Sequence, residues 1–226
     1  MADPLEVFAL PLGPLQANCF VVVRDQTGLV IDPGDEPGVI IEAFTEFGFA
    51  PAAVLVTHGH FDHFGGVAPL ARHFEIPVYV GELDASQMTD GGLGAMAGFD
   101  IEPVESARTI AGEQTLDLPI PVLAIPTPGH SRGSYTFAIG DEELFVGDLL
   151  FQGSVGRTDL PGGDYGEMMR SLARVCLPLP DETTVLSGHG PVTTIGRERA
   201  TNPYLREAAL VAAGAPPHGD GPHQGL

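Results

Sequence analysis

Four side chains that can bind a metal ion lie within six residues of this sequence. They occur in the run Thr57-His58-Gly59-His60-Phe61-Asp62-His63. Because His58 and His60 are two residues apart, their imidazoles can face one way while Asp62 and His63 face another. One loop could therefore contribute ligands to two adjacent ions, and imidazole with carboxylate suits zinc, iron or manganese. The alternative is a solvated polar turn, which is disfavoured because three of the eight histidines fall here.

The elements around this run place it at the end of a strand. The apolar stretch from Ala53 to Thr57 predicts a short buried strand, and Gly65-Gly66 follows the run before a predicted helix. Loops at the carboxyl ends of strands are where layered α/β proteins collect binding and catalytic groups.

Three further candidate ligands follow predicted strands in the second half of the chain. A single histidine after a strand is more often structural, but three such positions beside the first cluster favour ligands. His58, His60 and His130 could hold one ion, and Asp62, His63 and His189 a second. Asp148 could reach both ions, since a carboxylate has two oxygens. With a hydroxide between them, two divalent ions would leave this site with a charge of about +1, which favours an anion.

Composition limits the classes of partner. The 226-residue chain has a formal net charge of −20, and all 10 of its basic side chains are arginine. Because a protein with this much negative charge repels phosphate backbones, we expect no nucleic-acid partner. No apolar run approaches the roughly 20 residues that span a bilayer, so we expect no membrane association. Cys19 and Cys176 lie far apart and lack the spacing of a metal site or a disulfide framework. The sequence also shows no export signal, so we expect a cytoplasmic protein.

Apolar stretches separated by glycine- and proline-rich turns predict two β-rich halves, each closed by helices. This order predicts an α/β fold of two mixed sheets packed face to face with helices outside, a four-layer αβ/βα sandwich. The glycine-rich stretch 89–99 predicts a mobile loop or a broken helix. The predicted helices cover Pro37–Phe47, Val67–Phe74, Tyr165–Cys176 and Asn202–Ala213.

We expect residues 1–213 to form one domain. The remainder, 214–226, is rich in glycine and proline and predicts a disordered tail. Its two histidines, His218 and His223, are therefore interpreted as tail residues and not as ligands.

Together, these candidate ligands resemble the motifs of the metallo-β-lactamase superfamily, and Asp32 matches its early aspartate. The resemblance spans nearly the whole ordered chain. It implies a two-metal site at one edge between the sheets, with Asp32 supporting a ligand instead of binding metal. It also implies Asp62 and Asp148 as catalytic residues. The motif residues are His58, His60, Asp62, His63, His130, Asp148 and His189.

Within that superfamily, the chain is most similar to the short, single-domain glyoxalase II-like group. The segment from Phe145 to Asp164 carries this similarity. The family places a basic residue where Arg157 stands, to bind a carboxylate of glutathione. An ion pair between Arg157 and Asp159 is an equally weighted interpretation, and Arg132 is a weaker candidate. From its C-terminal stretch we expect no counterpart of the helical domain that completes the glutathione pocket in longer members of the family.

The resemblance implies a hydrolase that cleaves a thioester of the S-2-hydroxyacylglutathione type with a metal-bound hydroxide. We expect two divalent ions, zinc first, with iron or manganese as alternatives, and a small-molecule thioester as partner. One rival is a persulfide dioxygenase with a single Fe(II) held by His58, His130 and Asp148. Others are a lactonase or other small-ester hydrolase, and a metal-binding protein without catalysis.

Overall fold

A computed structural model describes residues 4–96, 98–140 and 142–219. Within these residues the strands are β1 (Glu6–Leu12), β2 (Ala17–Arg24), β3 (Thr27–Ile31), β4 (Ala50–Val56), β5 (Val78–Gly81), β6 (Ala107–Ile110), β7 (Gln114–Leu116), β8 (Val122–Pro126), β9 (Tyr135–Ile139), β10 (Glu143–Gly147), β11 (Thr184–Ser187) and β12 (Thr193–Thr194). The helices are α1 (Pro37–Phe47), α2 (Phe61–Phe64), α3 (Val67–Phe74), α4 (Ala85–Asp90), α5 (Gly92–Met96), α6 (Tyr165–Val175), α7 (Ile195–Thr201) and α8 (Pro203–Ala212).

The strands form two six-stranded mixed sheets, with orders β1-β2-β3-β4-β5-β6 and β12-β11-β10-β9-β8-β7. In the first sheet β3, β4, β5 and β6 are parallel. In the second sheet β8 and β10 are both antiparallel to β9, and β11 is parallel to β10. Consequently β8, β10 and β11 all end at one edge of the second sheet, as β3 and β4 do in the first.

The predicted four-layer sandwich is confirmed. One apolar cluster lies between the sheets and takes side chains from both, including Phe20 and Phe145, whose ring centroids are 5.3 Å apart. Phe44 and Leu70 belong to a second cluster, which packs α1 and α3 onto the first sheet. Met168 and Leu205 belong to a third, which packs α6 and α8 onto the second. Each fully buried large apolar side chain stabilises this arrangement by about 1.5–3 kcal/mol.

Local sequence explains the helix ends that were predicted well. Pro37 begins α1, and Gly48 ends it in a left-handed conformation with φ of 69°, which glycine adopts without steric cost. The side chain of Asp164 accepts a hydrogen bond from the Glu167 amide and starts α6. The stretch predicted as a mobile loop or broken helix is a broken helix, with α4 and α5 meeting at Gly91.

The prediction that residues 214–226 are disordered remains a prediction. Residues 214–219 have no helix or strand, and residues 220–226, including His223, lie outside the described part. Among the described helices, none is long and apolar enough to cross a membrane.

Candidate metal centre

All seven predicted ligands come together at the edge where the strands of both sheets end. Each follows a strand directly or lies on the short helix after it, so the parallel strand directions bring them to one place. Backbone hydrogen bonds hold the two sheets together there: Tyr135 N donates to Thr57 O at 2.7 Å, and Asn18 N donates to Gly188 O at 2.7 Å. The ligands are His58 and His60 after β4, Asp62 and His63 on α2, His130 after β8, Asp148 after β10 and His189 after β11.

Three histidines form the first ligand group. Nδ1 of His60 lies 3.1 Å from Nε2 of His58 and 2.8 Å from Nε2 of His130. All three side chains are buried. Ligand nitrogens about 2.0–2.1 Å from a tetrahedral zinc ion are roughly 3.4 Å apart, so small outward adjustments would admit an ion between these atoms.

The second group comprises Asp62, His63 and His189. Oδ2 of Asp62 lies 3.2 Å from Nε2 of His189 and 3.8 Å from Nε2 of His63. The Asp148 carboxylate lies between the two groups: Oδ1 is 3.5 Å from His63 Nε2, and Oδ2 is 3.4 Å from His130 Nε2. The geometry therefore offers two neighbouring sets of three ligands with one carboxylate between them.

Hydrogen bonds on the outer side of the rings fix which nitrogen carries the proton. His130 Nδ1 lies 2.7 Å from the carbonyl oxygen of Arg157, which can only accept. His63 Nδ1 lies 2.9 Å from Asp32 Oδ2. In both rings Nδ1–H is therefore the donor, and a neutral ring directs its Nε2 lone pair into the site.

Asp32 sets the tautomer of His58 through Thr57. The hydroxyl of Thr57 donates to Asp32 Oδ2 at 2.6 Å, which leaves Thr57 Oγ1 as the acceptor for His58 Nδ1 at 3.1 Å. The Thr57 amide donates to Asp32 Oδ1 at 2.7 Å. Asp32 itself has φ of 51°, a left-handed conformation that is costly for a side chain with a Cβ. Asp32 thus contacts the candidate ligand His63 from outside the cluster, and its support of a metal ligand stays a prediction.

The site has room and unsatisfied atoms for an ion. Among the described residues, His63 Nε2 and Asp148 Oδ1 are buried without a hydrogen-bond partner. Such atoms are costly unless something coordinates them. A Cβ on Gly188 would lie 2.4 Å from Asp148 Oδ1 and 2.5 Å from His63 Cε1, so only glycine leaves this space open. The cluster is therefore able to bind metal.

The electrostatics of the ion-free site differ between its two halves. Burial, followed by the neighbouring His130, lowers the pKa of His60 to about 3. Burial also lowers the pKa of His58 well below its ordinary value. For His63 burial acts in the same direction, but Asp62, Asp148 and Asp32 outweigh it and raise the pKa to about 10. A protonated His63 thus supplies, without an ion, the positive charge that these carboxylates attract.

We expect the metal-free protein to lose stability as the pH falls from 6.5 toward 3. The unfolded chain binds a proton at His60 near pH 6.5, while the folded protein does so only near pH 3. His60 therefore makes its full contribution to the free energy of unfolding above pH 6.5, and this contribution is lost as the pH falls toward 3. His63 is protonated in the folded protein throughout this interval and in the unfolded chain once the pH is well below 6.5, so it opposes the trend only near pH 6.5.

Thermal unfolding in a chelator across this pH range measures the effect. His60→Gln should flatten the dependence, while His73→Gln, at an exposed position of α3, should leave it unchanged. An equal slope in wild type and His60→Gln would contradict the assignment.

Asp84 was not predicted, and it connects the two loops that carry the first ligand group. Its buried carboxylate accepts from Gly59 N and Gly133 N, both at 2.9 Å, and from Ser131 Oγ at 2.5 Å. Gly59 lies between His58 and His60, and Ser131 follows His130. The signal in the sequence was its place shortly after β5, the same strand-end context that identified the ligands.

Asp84→Asn should destabilise the metal-free protein by about 2–4 kcal/mol, because an amide accepts through only one of its two polar atoms and leaves buried donors unsatisfied. Urea unfolding measures this free energy. Asp117→Asn, at an exposed position, is the matched control and should change it little. Equal stability of the two variants would refute the connecting role.

Asn18 was also missed by sequence reasoning. Its side-chain amide donates to the carbonyl oxygens of Ser187 and Gly190, both at 2.9 Å. These bonds hold the loop of His189 from the opposite sheet. No local pattern in the sequence predicts such a contact, which spans 169 residues for Ser187.

Arg157 lies beside the site, but its side chain is engaged elsewhere. Its Nε and second terminal nitrogen donate to the two carboxylate oxygens of Asp159 at 2.7 and 2.8 Å. These contacts form the ion pair that is the alternative to substrate binding for this side chain. Its carbonyl oxygen, by contrast, orients His130. A role for the Arg157 side chain in binding substrate therefore remains only a prediction.

Comparison with known proteins gives concordant matches. A family model described as the Metallo-beta-lactamase superfamily matches residues 12–189. The probable metallo-hydrolase YqgX of Bacillus subtilis (strain 168) is 37% identical over 206 residues, covering 89% of this chain and 98% of the relative. Hydroxyacylglutathione hydrolase GloC of Haemophilus influenzae is 31% identical over 220 residues, covering 89% and 98%.

Two solved structures share both fold and sequence. The B3 metallo-beta-lactamase BLEG-1 matches with a TM-score of 0.85 and 38% identity, covering 88% of this chain and 99% of that one. TTHA1623, in a di-iron-bound form, matches with a TM-score of 0.81 and 42% identity, covering 87% and 99%.

Proposed function

The chain belongs to the metallo-beta-lactamase superfamily of metallo-hydrolases, and from this we propose that it hydrolyses thioesters of the S-2-hydroxyacylglutathione type. The observation that carries the proposal is the pair of adjacent ligand groups with Asp148 between them. Similarity to GloC over nearly its full length supports the substrate class. We assign this activity to residues 1–213.

In this proposal each ligand group holds one divalent ion, zinc first, with iron or manganese as alternatives. When bound, two such ions would supply a Lewis acid for the acyl oxygen and a hydroxide at neutral pH. His58, His60 and His130 present their lone pairs to one position, and Asp62, His63 and His189 present theirs to the other. Asp148 sets the spacing of the two groups, and Asp32 keeps His63 and His58 in the tautomers that ligation needs.

The leaving group favours a thioester over an amide or lactam. A thiol has an ordinary pKa of about 8.5, so a thiolate leaves without a dedicated proton donor. An amine needs one, and the chain contains no lysine. Two tyrosines are committed to other partners: Tyr135 donates to the carbonyl oxygens of Ile110 and Gly112, and Tyr165 donates to Glu207.

A second candidate is oxidation of a persulfide at one iron ion held by His58, His130 and Asp148. The 3.4 Å contact between His130 Nε2 and Asp148 Oδ2 supports it, since it brings two members of that set together. Two histidines and one carboxylate on one face of an iron ion leave positions for oxygen and substrate. The presence of a complete second ligand group favours hydrolysis instead.

Parallel assays of protein loaded separately with zinc, manganese and Fe(II) test the proposal. We expect S-lactoylglutathione to be hydrolysed and no oxygen to be consumed with glutathione persulfide. Oxygen uptake without thioester hydrolysis would replace the proposal with the dioxygenase. Hydrolysis of a lactone, a simple ester or a β-lactam alone would reassign the substrate, and inactivity on all of them would indicate a metal-binding protein without catalysis.

A further inference from the structure

A groove outside the metal centre has a volume of about 670 Å³. It runs between α4 and α5 on one side and the loops after His130 and Asp159 on the other. A 2-hydroxyacyl group has only a few heavy atoms, whereas spaces of about 300–1,000 Å³ hold ligands of drug or tripeptide size. The lining includes Leu83, Ser86, Gln87, Met96, Arg132 and Pro161.

The groove adjoins the first ligand group, the three histidines His58, His60 and His130. Asp84 is part of its wall, and the same carboxylate accepts from Gly59 N and Ser131 Oγ. Gln87 packs against the loop that carries Gly59, since a Cβ on Gly59 would lie 3.0 Å from the Cβ of Gln87. A ligand in the groove would therefore lie beside the loops that hold His58, His60 and His130.

Arg132 places a free cation at this groove. Its side chain is exposed, and within residues 4–96, 98–140 and 142–219 no hydrogen bond or ion pair engages its guanidinium. Arg157, by contrast, is committed to Asp159. Because the protein carries a net charge of −20, an anion needs a specific cation to be held at its surface. Guanidinium binds carboxylates through two parallel hydrogen bonds.

We propose that this groove binds the thiol half of the substrate and that Arg132 pairs with a carboxylate on that half; this rests on the thioester hydrolysis proposed above. The rest of the groove matches a short peptide-like thiol. Leu83 and Met96 are 66% and 84% exposed and offer apolar contact to methylene groups. Ser86 and Gln87 offer hydrogen bonds to amides.

The test compares two thioesters with the same acyl group. S-Lactoylglutathione carries carboxylates on its thiol half, whereas S-lactoyl-N-acetylcysteamine carries none. We expect Arg132→Gln to lower kcat/KM for the first roughly tenfold, through KM, and to leave the second unchanged. Arg132→Lys should recover part of the loss. Arg72→Gln, which removes an exposed arginine paired with Glu102, is the control and should change neither substrate.

The outcomes separate this inference from the proposed function. If the wild-type protein hydrolyses neither thioester, the proposed function fails. If it hydrolyses both and Arg132→Gln changes neither, or lowers both equally, the function stands and the Arg132 site is overturned. Equal thermal unfolding of wild type and Arg132→Gln would establish that any selective loss reflects binding.

Discussion

Asp148→Ala should lower kcat/KM for S-lactoylglutathione by roughly a thousandfold or more. The carboxylate lies within 4 Å of histidines from both ligand groups: His63, His130 and His189. Its removal takes a shared ligand from both positions at once and leaves three imidazoles with less negative charge nearby. The spacing on which the proposed chemistry depends would then no longer be fixed.

Initial rates and metal content per chain, measured on the same preparation, test this prediction. Asp117→Ala removes an exposed carboxylate that follows β7 beside the start of β8, at the opposite end of that strand from His130, and is the matched control. The variant should contain fewer bound ions than wild type, while the control should keep both rate and metal content. Retention of more than a tenth of the wild-type rate would mean that the centre has been misassigned.

Asp32→Asn should have the next largest effect, a roughly 10- to 100-fold loss of metal affinity at the group of Asp62, His63 and His189. Asp32 accepts three hydrogen bonds, from Thr57 N, Thr57 Oγ1 and His63 Nδ1. An asparagine has one acceptor oxygen, and its amide nitrogen would face a donor. His63 would then lose the partner that holds its proton on Nδ1 and keeps Nε2 free for the ion.

Competition with a chromophoric chelator measures the two affinities separately. The binding step assigned to Asp62, His63 and His189 should shift in Asp32→Asn, and the step assigned to the three-histidine group should shift less. Asp117→Asn serves again as control and should match wild type in both steps. Unchanged affinity in Asp32→Asn would show that the left-handed backbone at this residue serves only the turn.

Sequence predicted most where a residue acts through its own type or its immediate neighbours. The first helix was predicted with both its ends because Pro37 and Gly48 determine them locally. The sandwich followed from the order of apolar stretches, since two β-rich halves with flanking helices have few ways to bury them. The candidate ligands were identifiable because histidine and aspartate at successive strand ends are distinctive.

The missed features depend on contacts between distant parts of the chain. The four-residue α2, which carries Asp62 and His63, is too short to show a helical period. Asp84 and Asn18 hold loops that approach only in the folded protein, so their roles could not be derived from their neighbours. For Arg157 the sequence leaves two roles open. The same local sequence is compatible with an ion pair to Asp159 and with an interaction with substrate.

The most direct test of a two-ion hydrolase is a titration of the metal-free protein with zinc while S-lactoylglutathione hydrolysis is followed. We expect the rate to rise until two ions are bound per chain, because Asp148 lies between two complete ligand groups. A rate that saturates at one ion per chain, or a protein that binds two ions and hydrolyses no thioester, would contradict this account.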